Sequence, residues 1–161
     1  MSTPSIPQLA ADAVASLSER GLTLATAESC TGGLIAAAIT EIPGASRAFR
    51  FGWVTYCNEA KMQELAVPAE LIEQHSVVSE PVVKAMAAAA RRKAAAAFAL
   101  AVSGNAGPTA APDEPPVGTV CIALASPAGT RALTLFRPDL SRRDFRMMVV
   151  REALQLLLAE L

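Results

Sequence analysis

Apolar positions recur at helical spacing from Ser5 to Arg20, where Leu9, Ala13, Val14 and Leu17 share a face and Gly21 supplies a C-terminal stop. The rhythm then changes. Leu22-Thr23-Leu24-Ala25-Thr26 alternates apolar and polar residues, which predicts a strand over 22–27. Leu34 to Ile39 returns to a helical pattern, placed over 30–40 and ended by Pro43-Gly44. Phe51 to Tyr56 reads as a second strand, and Asn58 as the cap of a short helix reaching about Ala66. Ser79-Glu80-Pro81 opens a long alanine-rich helix to about Ala95, with serine as cap and proline in the first turn. Phe98 to Ser103 is apolar enough for a strand buried on both faces. Asn105 to Pro116 contains four prolines and one glycine and reads as a long loop, a kind of segment that is often functional. Val117–Ala125 and Thr130–Phe136 follow as strands of a hairpin turning at Pro127-Ala128-Gly129. Ser141-Arg142-Arg143-Asp144 has capping-box spacing and starts a helix to the C-terminus.

Helices and strands alternate through the first two-thirds of the chain and a hairpin follows, with no repeat and no linker. This pattern predicts an α/β protein: a three-layer α/β/α sandwich with a mixed sheet, residues 1–161 forming a single domain. Met147, Val150, Leu154, Leu158 and Leu161 give the last helix apolar residues on more than one side. It either packs between other elements or meets another subunit.

Composition narrows the function classes. With 161 residues and 52% hydrophobic content the chain can bury one core. No apolar run reaches the ~18–20 residues that span a bilayer, and Met1-Ser2-Thr3-Pro4 lacks the features of a signal peptide. A cytoplasmic location without membrane contact is expected. The formal charge of -1 gives no electrostatic support to nucleic-acid binding. Arg91-Arg92-Lys93, the largest basic run, reads as a solvated helix face. Three cysteines without CxxC spacing (Cys30, Cys57, Cys121) indicate neither disulfides nor zinc, and no metal or other cofactor is expected. His75 is the only histidine and falls in a polar segment read as surface or loop, so an activated serine would need a different base.

Three segments carry candidate chemistry. In Ala27-Glu28-Ser29-Cys30-Thr31-Gly32-Gly33, hydroxyls and a thiol sit where a strand gives way to a helix N-terminus. Free N–H groups there can hold an anion or a developing oxyanion; the same residues also suit an ordinary Ser/Thr cap with glycines for close packing. In Tyr56-Cys57-Asn58-Glu59-Ala60-Lys61 the lysine falls in the first turn of a helix. The dipole and partial burial both disfavour its charge, so it is a candidate for a lowered pKa and for Ser-Lys catalysis. Its alternative is a solvent-facing lysine. Ser103-Gly104-Asn105-Ala106-Gly107-Pro108 ends a buried strand, where open α/β sheets bind ligands; a turn without function fits equally.

These segments, followed by Pro116-Val117-Gly118-Thr119-Val120, occur in an order that closely resembles the C-terminal domain of the CinA (competence/damage-inducible protein) family, over about Leu9 to Leu161. Stand-alone members of that family are nicotinamide-nucleotide amidohydrolases, also called PncC. These residues contain no counterpart of the N-terminal domain of longer CinA proteins. The resemblance implies metal-free hydrolysis of nicotinamide mononucleotide to nicotinate mononucleotide and ammonia through an acyl-enzyme. It makes Ser29 the nucleophile, Lys61 its base and Tyr56 the support of the lysine. The substrate-binding set it implies comprises Cys30, Thr31, Gly32, Gly33, Asn58, Ser103, Gly104, Ala106 and Gly107. Arg142 and Arg146, four residues apart on one helix face, join that set as partners for the substrate phosphate. A small-molecule mononucleotide is thus the expected partner, within a homo-oligomer.

The chain departs from the family pattern at Ala110-Ala111, where a Gly-Gly pair is usual, and at Pro115, Asn105 and Cys57. Most of these departures fall on the 105–116 loop. They motivate an alternative: a nucleotide-binding or partner-binding module with weak or absent turnover. A third reading makes Cys30 the nucleophile. Against it, if Ser29 points to a cleft, the next side chain points into helix–sheet packing.

Overall fold

The computed structural model describes residues 3–161, so the Met1-Ser2 part of the N-terminal reading lies outside the described residues. Five strands form one mixed sheet: β1 (Leu24–Glu28), β2 (Phe49–Val54), β3 (Phe98–Gly104), β4 (Thr119–Ser126) and β5 (Gly129–Phe136). Their order is β2-β1-β3-β4-β5. β1 runs parallel to both neighbours, while β3–β4 and β4–β5 are antiparallel. The helices are α1 (Ile6–Glu19), α2 (Leu34–Thr40), α3 (Asn58–Leu65), α4 (Ala69–His75), α5 (Glu80–Ala94) and α6 (Arg142–Leu158).

Side-chain size differs between the two faces of the sheet. One face presents Leu24, Leu100, Val102, Ile122 and Leu124 to α1, α2 and α6. The other presents Ala25, Ala27, Ala99, Ala101, Ala123 and Ala125 to α5, which answers with Val83, Met86, Ala87 and Ala90. Small residues on both partners let this helix lie close to the sheet. Strand alternation thus sorts odd and even positions into two cores of different texture. The three-layer sandwich with a mixed sheet is the architecture that the hydrophobic pattern predicts.

Several boundaries move. The first strand ends at Glu28 rather than 27, and α2 starts at Leu34 rather than 30, leaving 29–33 as a turn. The second strand lies at 49–54, two residues earlier than its aromatic run suggests. Asn58 is the first residue of α3, and the cap is Cys57, whose backbone is extended at φ -111° and ψ 166° and whose side chain makes no capping bond. α4 and a 3-10 turn over Ala45–Arg47 were not foreseen. α4 buries no residue, so no clean apolar stripe marks it. Ser79 and Ser141 cap their helices as their spacing predicts, and Ser5 caps α1. α6 packs within the fold, burying Phe145, Val149, Val150, Ala153, Leu154 and Leu157, with Met147 exposed. No described helix is long and apolar enough to cross a membrane.

From β1 the chain moves to β2 on one side and later to β3 on the other. The crevice outside the carboxyl ends of these parallel strands is the topological switch point, where open α/β sheets place ligands. Ser29, Thr55 and Gly104 all lie there.

The alanine face makes a stability prediction. Ala101→Leu forces a larger side chain between β3 and α5 and should cost about 1–3 kcal/mol. Its denaturant midpoint should fall with unchanged m; an unaltered midpoint would mean that α5 does not lie as close to the sheet as described.

Candidate active site

Glu28 closes β1 with its side chain almost fully buried, 1% exposed. The carboxylate accepts hydrogen bonds from Thr31 Oγ1 at 2.6 Å, the Ile35 amide at 2.8 Å and the Ala36 amide at 3.0 Å. The first amides of α2 are therefore already engaged, and the expected open helix terminus is not what receives an anion. Glu28 folds the 29–33 segment into a turn instead. Gly32 N–H donates to the Ser29 carbonyl, whereas the amides of Cys30, Thr31 and Gly33 donate to no described residue. Arg146, on α6, donates through Nε to the Cys30 carbonyl at 3.0 Å and through Nη2 to the Thr31 carbonyl at 3.1 Å. Gly32 adopts φ +58°, and a Cβ there would stand 3.3 Å from the Arg146 guanidinium. Glycine fits both constraints.

Alternation directs the two reactive side chains of this turn apart. Cys30 joins the large-residue core with α1, α2 and α6. Ser29 faces the opposite layer, where α3 supplies Lys61. Lys61 Nζ stands 3.0 Å from Ser29 Oγ and donates to the Thr55 carbonyl at 2.7 Å. The lysine is 1% exposed, and burial, which penalises its charged form, lowers its pKa from 10.5 to about 8. Burial lifts the Cys30 thiol the other way, up to about 12, so its thiolate is disfavoured.

A cleft of about 230 Å3 opens over this pair. Ser29, Cys30, Tyr56, Asn58, Lys61 and Arg142 line one part of it, and Ser103, Gly104 and Ala106 another. Ser103 Oγ donates to the Val77 carbonyl at 2.9 Å, fixing the wall on which Val77 and Val78 lie. Arg142 reaches back from α6 to donate to the Gly107 carbonyl at 2.5 Å and to Tyr56 Oη at 2.9 Å.

A sequence profile of the CinA C-terminal domain matches residues 6–161. This chain belongs to the CinA family. CinA-like proteins of Akkermansia muciniphila and of an Anaeromyxobacter species are 49% and 48% identical to it over 141 and 151 residues. Those matches cover 88% and 93% of this chain but 34% and 36% of the relatives, so the chain spans about a third of their length. Two solved structures are of similar extent. The competence/damage inducible protein CihA of Agrobacterium tumefaciens is 40% identical with a TM-score of 0.93, covering 99% of this chain and 98% of that one. The competence damage-inducible protein A (ComA) of Klebsiella pneumoniae is 36% identical with a TM-score of 0.92, covering 96% and 95%.

Within this CinA domain, the residues singled out from sequence do not all converge. Ser29, Lys61, Tyr56, Asn58, Cys30, Ser103, Gly104, Ala106 and Arg142 meet at the cleft; Thr31, Gly32, Gly33, Gly107 and Arg146 do not line it. Tyr56 is 59% exposed and bonds Arg142, not Lys61. The lysine is instead oriented by the Thr55 carbonyl, which sequence reading missed because a backbone acceptor carries no residue signature. Both guanidiniums already bind protein oxygens, and of the two only Arg142 lines the cleft, with its Nε–H and one N–H on each Nη still unengaged among the described residues. His75 lies exposed at the end of α4 and does not line the cleft. Glu114 also lines the cleft and was not foreseen; its carboxylate accepts from the Ala111 amide at 3.1 Å and so closes a turn of the proline-rich loop.

Two outcomes follow from these environments. NMR titration of the Lys61 Nζ should show a midpoint near 8, with the neutral amine gaining as pH rises. Because folding lowers this pKa, the unfolded chain binds the extra proton between about 8 and 10.5, and stability should rise with pH across that window. A midpoint at the ordinary lysine value would place the amine in solvent. Alkylation of the native protein should modify exposed Cys57 first, with buried Cys30 and Cys121 protected; rapid loss of the Cys30 thiol would contradict its burial.

Proposed function

We propose that this CinA domain is an amidohydrolase that converts nicotinamide mononucleotide to nicotinate mononucleotide and ammonia through a Ser-Lys acyl-enzyme. The observation that carries the reading is the 3.0 Å approach of a buried lysine amine to a buried serine hydroxyl at the floor of a cleft. No histidine lines that cleft, and a neutral amine is the base that a Ser-Lys pair requires. The substrate is the one that the family resemblance implies.

In this reaction Ser29 Oγ attacks the carboxamide carbon while its proton passes to Lys61 Nζ. The Thr55 carbonyl holds the amine in place throughout. With a pKa near 8, roughly a tenth of the lysine is neutral at pH 7, enough for a base whose conjugate acid must also donate. The oxyanion lies toward the unengaged amides of the 30–33 turn. The C–N bond then breaks as Lys61 returns its proton to the departing nitrogen, which leaves as ammonia. Water, deprotonated by the same amine, attacks the ester carbonyl and releases the acid and Ser29. Cys30 is ill suited to the nucleophile's part, since it points into the core and its thiol resists ionisation.

Ammonia release from nicotinamide mononucleotide should fall by about 10²–10⁴ in Lys61→Ala, and at least as far in Ser29→Ala, with folding retained. Cys30→Ala should keep activity. In the intact chain the rate should climb with pH to an inflection near 8. Free nicotinamide and glutamine serve as controls. Saturable binding of the mononucleotide without ammonia would favour a binding module instead, and unchanged rates in either alanine variant would remove that residue from the chemistry.

A further inference from the structure

Arg146 is expected from sequence to meet the substrate phosphate, yet its guanidinium is committed elsewhere. It does not line the cleft. Its fork spans two successive carbonyls, those of Cys30 and Thr31, across 116 and 115 residues of chain. We infer that Arg146 is a positioning residue for the nucleophile turn, orienting the peptides after Ser29, and not a phosphate ligand. This inference rests on the Ser29–Lys61 reading but not on the identity of the substrate.

The physical basis is peptide geometry. The Cys30–Thr31 bond is trans, the single cis bond among the described residues being Gly107–Pro108. In a trans peptide the C=O and N–H point in opposite directions. Drawing the Cys30 oxygen toward α6 therefore turns the Thr31 N–H away from α6, toward the layer in which Ser29 and Lys61 lie. That amide has no acceptor among the described residues. Drawing the Thr31 oxygen the same way turns Gly32 N–H back toward the Ser29 carbonyl, which it binds at 2.9 Å. A charged donor on each carbonyl also polarises its peptide and strengthens the N–H as a donor. Glu28 holds the far end of the turn through Thr31, Ile35 and Ala36. The turn is thus fixed between an anion at the end of β1 and a cation on α6. A lysine at 146 would keep the charge but could not form the planar two-pronged contact.

The test is serine labelling by a fluorophosphonate probe, which reports on Ser29 without a nucleotide. The Ser29 Oγ–P bond forms as P–F breaks, the serine proton goes to Lys61 and fluoride departs. Mass spectrometry gives the labelling rate at residue 29 for the wild-type chain, Arg146→Ala and Arg146→Lys. Labelling should slow at least tenfold in Arg146→Ala and at least threefold in Arg146→Lys. Added guanidinium ion should restore labelling in Arg146→Ala, a rescue that general loss of structure would not show. The Kd of nicotinamide mononucleotide, measured by calorimetry on a Ser29→Ala background, should shift less than threefold on Arg146→Lys. Labelling at the wild-type rate in both variants would overturn the inference. So would a tenfold weaker Kd with labelling intact, the signature of a phosphate ligand. If Arg146→Ala does not fold, Arg146→Lys decides on the same criteria. A wild-type chain that labels at Ser29 yet releases no ammonia would defeat the proposed substrate alone.

Discussion

A lysine amine held out of water between the Thr55 carbonyl and the Ser29 hydroxyl is the constraint around which this domain is arranged. Burying an ammonium is costly, and the fold meets that cost by favouring the neutral amine and giving it a backbone acceptor. α3, which carries the lysine, buries only Lys61 and Leu65. Such a helix gains little from hydrophobic docking, so its position depends heavily on polar contacts at its N-terminal side and on the Val67 amide bonded to the Lys61 carbonyl. Stability alone would place leucine or methionine at 61.

The sheet supplies the frame for that arrangement. β1 is central to the parallel part, and the chain leads from it to β2 on one side and later to β3 on the other, so the turn after Glu28 opens into a crevice by topology. Residues 29 and 30 then face opposite layers because the strand alternation continues into the turn. The same alternation that separates a leucine-rich face from an alanine-rich one delivers a hydroxyl to the cleft and a thiol to the core. Glu28 and Arg146 grip the turn from two layers. The orientation of Ser29 therefore depends on β1, α2 and α6 together.

Much of this was legible in the residues. Helical spacing, serine caps and the apolar strand over 98–103 led to the correct layers, and the hairpin at 127–129 to the mixed sheet. The scarcity of histidine already directed attention to Lys61. Other features left no mark. α4 packs on the core only through partly buried Leu71 and Ile72, too few positions to mark a helical stripe. Asn58 resembles a cap in sequence, but the extended backbone at Cys57 moves the helix start by one residue. Glu28 reads as the end of a strand motif and nothing in its neighbours announces three hydrogen bonds to its carboxylate.

The sequence by itself determined the order of the strands and of every helix but α4 and the 3-10 turn, the chemical types available and the family, because periodicity and short-range motifs are local properties of the chain. Only the tertiary structure decided which of those groups meet. Ser29 and Lys61 lie 32 positions apart, and Arg146 reaches its carbonyl partners across more than a hundred. The acceptor that orients the amine is a main-chain oxygen, which every residue possesses. Burial, which sets the amine's protonation, arises where α3 packs on α5 beside the residues that follow β1 and β2, and packing is a property of the assembled fold.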